Sequence, residues 1–202
     1  MNNQTKEIIG SGIQALGTVT AAVGSTPIFF IKKEELHNLN IYGNVLQATG
    51  NGLQADAKEL LSLGQLGNQI QAAGNSTVVA GLVIDFEKVT ELKLHITGNW
   101  LQALGGVVEV ADAIENDVGL IQSFIIIGNG LQAIGNSLQA IGAIYELETK
   151  DDKTGVSLIV KGSWIQAVGS IIAFLGAARK GMKQQEIEKN FTFRKGQKNT
   201  AQ

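Results

Sequence analysis

The chain has no cysteine, a single proline (Pro27) and little charge for its length. Without thiols there are no disulfides and no thiolate metal sites, and the redox compartment stays open. One proline in 202 residues, beside 25 glycines, is not the composition of a loop-rich or disordered chain. Charged residues make up 17%, against roughly 25% in an average soluble domain. Aromatic residues are only 5%, while hydrophobic residues reach 44%. A net charge of −2 gives no general pull towards nucleic acid. The opening MNNQTKEIIGSG lacks a basic region followed by an apolar core, so no signal peptide is expected and the cytoplasm is the expected compartment.

What the chain does have is a phrase, GNxLQAxG, in variants along its length. It reads GSGIQALG at 10–17, GNVLQATGNGLQA at 43–55, GNQIQAAGN at 67–75, GNWLQALG at 98–105, GNGLQAIGNSLQAIG at 128–142 and GSWIQAVG at 162–169. Within each block glycine returns every seven residues, and between blocks the register breaks, which separates six elements. Seven is odd, so a strand would throw successive glycines to opposite faces. On a helix seven residues make two turns, and the glycines form one stripe. Taking glycine as 0°, Asn and Gln fall near 100° and 40°, and Leu or Ile near 240–300°. The spacing predicts helices over about 5–24, 33–56, 58–83, 90–114, 118–148 and 155–190, with Asp56 and Glu59 as a capping pattern for the third. Short connections favour antiparallel neighbours. The expected fold is therefore all-α: a six-helix antiparallel up-and-down bundle over 1–178, followed by a basic helical extension and tail over 179–202.

Glycine inside a helix costs about 0.8–1 kcal/mol relative to alanine, so a stripe of it must be offset by contacts that a side chain would prevent. Close backbone approach is the contact expected. The proposed helix-association stripe is Gly43, Asn44, Gln47, Gly50 and Asn51; Gly98, Asn99 and Gln102; Gly128, Asn129, Gln132, Gly135, Asn136 and Gln139; and Gly162, Gln166 and Gly169. The sequence leaves open whether its amides face the core, solvent, a lumen or another subunit.

Charge is confined between long uncharged spans: Gly10 to Ile31, Leu36 to Ala55, Leu60 to Ile84, Leu94 to Val108, Val118 to Tyr145 and Gly162 to Ala178. That pattern resembles a polytopic membrane protein. Yet the best span, Val118 to Tyr145, gains only roughly 5 kcal/mol from its aliphatic and Phe side chains, while its five amides cost about 2 kcal/mol each. No helix is expected to insert alone. Trp100 and Trp164, placed mid-helix by the spacing, also argue against an interfacial aromatic belt. A preassembled bundle with its amides paired inward is a different matter, because it can enter or lie on a bilayer.

No pattern carries chemistry. GNG at 128–130 lacks the strand and third glycine of a dinucleotide fingerprint, and no GxxxxGK[ST], GxSxG or HExxH occurs. His37 and His95 lie in different helices without local partners, and Glu109, Asp112, Glu115 and Asp117 read as a solvated helix end. Arg179, Lys180, Lys183, Arg194 and Lys195 belong to a basic tail suited to an anionic lipid surface or an acidic partner. The expectation is a non-enzymatic protein, without cofactor, small-molecule substrate or nucleic acid, that works by helix association with itself as a homo-oligomer or at a membrane surface. The alternative is a conditional membrane inserter or lytic pore-former.

The GNxLQAxGN phrase resembles that of a group of repetitive helical proteins of Bacillus-like bacteria, from the MNNQTKEIIGS opening through the last Gly-Ser-Trp-Ile-Gln block. The resemblance implies a bacterial helical protein and carries over no functional residues.

Overall fold

The computed structural model describes residues 1–115, 119–149 and 152–199, the last of these without the side chains of 152, 188, 189 and 191–199. Six helices follow one another: α1 (Asn3–Ser25), α2 (Lys33–Ala57), α3 (Leu63–Val83), α4 (Lys88–Glu115), α5 (Leu120–Thr149) and α6 (Asp152–Asn199). Local chemistry fixes several ends. The Asn2 side chain accepts from the Thr5 N–H at 2.8 Å, and the Glu35 carboxylate accepts from the Lys32 N–H at 3.4 Å. The expected start of the third helix is corrected: Asp56 remains inside α2, and the cap is Ser62, whose hydroxyl accepts from the Gln65 N–H at 3.1 Å. Leu61, at φ 62°, turns the chain just before that cap. α6 runs unbroken through the expected boundary at 178.

Each helix packs on its neighbours in the chain, and α6 returns to pack on α1. The bundle is thus a closed ring of six antiparallel helices. Among the described residues no helix pair meets across the ring by close backbone approach.

The ring is built from three glycine-paired hairpins. In α1–α2, Gly10 faces Gly50 and Gly17 faces Gly43; in α3–α4, Gly67 faces Gly105 and Gly74 faces Gly98; in α5–α6, Gly128 faces Gly169, Gly135 faces Gly162 and Gly142 faces Gly155. At Gly135 a methyl group would lie 2.5 Å from the Gly162 carbonyl oxygen, and a methyl at Gly162 would lie 2.5 Å from that of Gly135. No side chain fits between two backbones so placed. The contrast comes from Gly52 and Gly130, which stand out of the seven-residue phase: a methyl on either meets nothing within 4 Å.

Between hairpins the contact passes to the residue after each glycine, about 100° further round the helix. Thr18 and Ser170 hydrogen-bond through their hydroxyls at 2.5 Å, closing α1 on α6. Asn129 reaches from α5 to α4. At Gly106 of α4 a methyl would come within 3.2 Å of the Asn129 carbonyl, so this seam is also tight.

Hydrophobicity is inverted. The largest fully buried side chains are Gln47, Gln71, Gln102, Gln132, Asn51, Asn68, Asn75, Asn136, Thr18, Ser163 and Ser170, and the buried apolar residues are nearly all alanine. The aliphatic residue before a stripe glycine turns outward, Leu16 being 60% exposed, Leu104 52% and Ile134 54%, while the Leu or Ile before Gln, as at Leu46 and Leu131, is half-buried. Both tryptophans are on this outer face. Trp164 Nε1 donates to the Thr26 hydroxyl at 3.0 Å, just past the end of α1.

Candidate functional site

The inward face of the ring is an amide column. Glycine sets the phase: when it faces the hairpin partner, the Gln four residues on points 40° away, towards the axis. Two clusters result. In the first, Gln14 Nε2 donates to Gln71 Oε1 at 3.3 Å and to Gln132 Oε1 at 2.9 Å, while Gln54 Nε2 donates to Gln14 Oε1 at 2.9 Å. In the second, Gln166 Nε2 donates to Gln47 Oε1 at 2.8 Å and to Gln102 Oε1 at 3.2 Å, and Gln139 Nε2 donates to Gln166 Oε1 at 2.9 Å. Bonds such as Gln14–Gln71 and Gln166–Gln102 join helices that are not ring neighbours, so the amides meet at the axis and fill it at both levels.

The stripe residues named from sequence are all placed by this scheme. Gly43, Gly50, Gly98, Gly128, Gly135, Gly162 and Gly169 lie in the hairpin seams. Gln47, Gln102, Gln132, Gln139 and Gln166 lie on the axis. Asn44, Asn51, Asn99, Asn129 and Asn136 are buried on the flank that faces the next hairpin. The Asn side chains bond locally where they can: the Nδ2 groups of Asn44, Asn68, Asn75 and Asn99 donate to the carbonyl four residues back. Buried polar atoms remain without a partner at Asn51 (both atoms), Asn68 Oδ1, Asn75 Oδ1 and Asn136 Nδ2.

The acidic stretch is corrected in part: Glu115 is exposed at the end of α4 as expected, and Asp117 lies outside the described residues. Glu109 is not a solvated helix end. It stands seven residues after Gln102, in the Gln place of the repeat, and faces inward. Its Oε1 accepts from Gln71 Nε2 at 2.5 Å and its Oε2 from Asn129 Nδ2 at 2.9 Å, which links it to the first Gln cluster and ties α4 to both α3 and α5. Its carboxyl is part-buried between these two amides. Burial pushes its carboxyl up to about 7, with Asp112 adding to the effect against Lys58 and the two amide donors. Asp112 accepts from the Gly64 N–H at 2.9 Å, at the start of α3. The same phase was legible in the sequence, where Glu7 stands seven residues before Gln14.

At this end, one turn beyond Glu109, the bundle opens into a vestibule of about 560 Å³ lined by, among others, Glu7, Lys58, Glu59, Asp112 and Lys180. Lys58 Nζ donates to Glu7 Oε1 at 3.0 Å, and Lys180 lies 3.6 Å from the same oxygen. Burial works against the Lys58 ammonium, but Glu7, with Glu109 and Asp112 beyond it, outweighs this and raises its pKa. Lys180 is therefore engaged within the chain. So is Arg179, whose guanidinium sits 4.5 Å from the centre of the Phe124 ring. Lys183 is exposed, and the side chains of Arg194 and Lys195 lie outside the described residues. At the other end His37 Nε2 lies 3.2 Å from the Leu82 carbonyl, and His95 packs against Gly81. Among the described residues no group of three or more His, Asp and Glu is placed to hold a metal ion.

Fold and interior together define a class: a closed helical ring with amides inside and aliphatics outside. The model of a family of unknown function, DUF6944, matches residues 5–174, and the chain belongs to that family. No curated protein and no solved structure matches the chain.

Proposed function

We propose that this is a non-enzymatic helix-bundle protein of membranes, which presents its aliphatic coat to lipid and keeps its amide column to itself. The observation that carries this reading is the inversion of the core: the repeat's Gln and Asn are buried among alanines, while most large aliphatic side chains and both Trp are exposed or half-buried. The coat is not a patch. Leu16, Val45, Leu66, Leu104, Ile134 and Val168, one on each helix, are all exposed, so it runs round the whole ring. A second copy docked on one side would cover a fraction of it, whereas a continuous apolar solvent covers it all.

Dimensions agree. The uncharged helical stretches at 10–25, 36–55, 63–83, 94–108, 120–145 and 162–178 are 15 to 26 residues long, or roughly 22–39 Å at 1.5 Å per residue, around a hydrocarbon core of about 30 Å. Asn3–Ser25 and the Lys153–Ile187 part of α6 are long and apolar enough to cross a membrane by length and composition, and less than half of each span is buried. The amide penalty that bars single helices from inserting is reduced when the glutamines bond to one another inside the ring. Helix association, the mode of action read from the glycine stripe, is then spent within one chain, and lipid takes the outer surface.

Flotation with phosphatidylcholine vesicles and with vesicles containing phosphatidylglycerol tests the reading. The protein is expected to float with both and to resist extraction by alkaline carbonate. A protein that stays in the aqueous layer with both, at its monomer mass, overturns it; one that stays there as a defined oligomer assigns the coat to self-assembly instead.

A further inference from the structure

The Gln place of the repeat points to the ring axis, and its occupant in the described interior is usually neutral. Glu7, Glu109 and Glu146 break that rule towards the ends of the column, and Glu109 stands one turn before Asp112, which lines the vestibule. The two Glu109 oxygens are held by Gln71 from α3 and Asn129 from α5, both neutral donors. The charged groups around it are Lys58 from the end of α2, Asp112 one turn on in α4, and, behind Lys58, Glu7 of α1 and Lys180 of α6. Glu59 also lines the opening. Counting Glu7, Glu59, Glu109 and Asp112 against Lys58 and Lys180 leaves the mouth of the column at −2 with Glu109 ionised and −1 with it protonated.

We propose that Glu109 is a proton-binding site whose occupancy governs how the bundle enters a bilayer. A proton arriving from water through the vestibule converts the carboxylate to the neutral acid, and no other bond changes. One surplus charge is removed at the point where the amide column would otherwise carry it towards hydrocarbon, so the protonated bundle partitions into lipid more strongly. Burial sets the range: the carboxyl is pushed up to about 7, which puts the change at neutral rather than acid pH. This inference rests on the membrane reading above.

The test is vesicle partitioning against pH with uncharged phosphatidylcholine vesicles, for the full chain and Glu109→Gln. Glutamine restores the repeat's own residue, so the ring is expected to close. The unsubstituted chain is expected to bind about tenfold more strongly at a pH two units below the Glu109 midpoint than at two units above it. Glu109→Gln is expected to bind at all pH values as the protonated chain does. A parallel titration uses carboxyl-13C-labelled glutamate in detergent micelles, with Glu109 assigned by its loss in the variant, and is expected to show a midpoint near 7. A pH dependence that survives in Glu109→Gln, or a Glu109 signal that titrates in the ordinary carboxylate range, overturns the proposal. If neither protein binds vesicles at any pH while the carbon signal titrates near 7, the membrane reading fails and the proton site stands without its role in entry.

Discussion

The ring has two kinds of seam, and they use opposite chemistry. Inside a hairpin, glycine meets glycine, and the backbones approach until no Cβ fits between them. Between hairpins, the residue after the glycine makes the contact, and it is mostly polar: Asn on α2–α5, except at Gly106 and Ala143, and Ser or Thr at Ser11, Thr18, Ser163 and Ser170 of α1 and α6. The first kind of seam is intolerant of any added atom. The second depends on whether each buried polar atom finds a partner, and its quality varies round the ring. The α1–α6 seam is closed by the Thr18–Ser170 hydroxyl bond. On the flank that joins α2 to α3, Asn51, Asn68 and Asn75 keep unpaired atoms. Steric exclusion fixes the hairpins, and hydrogen bonding fixes how three hairpins become a ring.

Substitutions sharpen that contrast. The largest effect is expected in a hairpin seam: Gly135→Ala drives a methyl group against the Gly162 backbone and should cost about 3 kcal/mol or more of stability in denaturant unfolding followed by circular dichroism. A loss below about 1 kcal/mol there would remove steric exclusion as the basis of the hairpins. Next is the axis. Gln166→Ala strands amides on Gln47, Gln102 and Gln139 and should cost about 2–3 kcal/mol, whereas an interior indifferent to hydrogen bonding would show little change.

The pH dependence follows from Glu109, whose pKa is raised on folding. The folded chain binds that proton more tightly than the unfolded chain, so this group's penalty is absent at acid pH, grows as pH rises from about 4.5 to about 7, and is constant above that. Relative to Glu109→Gln, the unsubstituted chain should therefore lose on the order of 2 kcal/mol across that window, allowing for the partial exposure of the carboxyl. Equal slopes for the two proteins would show that Glu109 is not perturbed.

Smaller effects have the opposite sign. Asn51→Leu removes two unpaired buried atoms from the inter-hairpin flank and should be neutral or stabilising by about 1 kcal/mol; a clear loss would mean that Asn51 has a partner. Gly130→Ala, out of phase and facing open space, should raise stability by about 0.5–1 kcal/mol through helix propensity alone. If it destabilised as Gly135→Ala does, phase would not be what separates the two glycines.

The helices and the glycine stripe were legible because a seven-residue period admits only one regular structure that aligns its glycines. The direction of the stripe was not. A periodic pattern divides a helix into faces without saying which face is inside, and the usual preference for buried aliphatics would have chosen the wrong one. Closure of α6 on α1 did leave a trace. Ser11, Thr18, Ser163 and Ser170 replace Asn in just those two helices, which marks them as each other's neighbours. Glu109 was obscured by its company: within the run to Asp117 it reads as one acid among several, and only its distance from Gln102 shows that it belongs to the column. The start of α3 was lost to a competing signal, since Asp56 and Glu59 have capping spacing while Ser62 does the capping.

Closure has a consequence for synthesis. α1 and α6 form one seam, so a ribosome must release the chain through Ser170 before Thr18 can meet it. Until then the glutamines of a five-membered arc lie open on one side, and in a lipid environment that opening is the costly part of the particle. Hairpins can form one after another as they emerge, from contacts close in sequence, but shielding of the interior arrives in a single late step with the sixth helix. Truncation before α6 should therefore leave a set of sound hairpins around a wet, unsealed gap rather than a smaller version of the same protein.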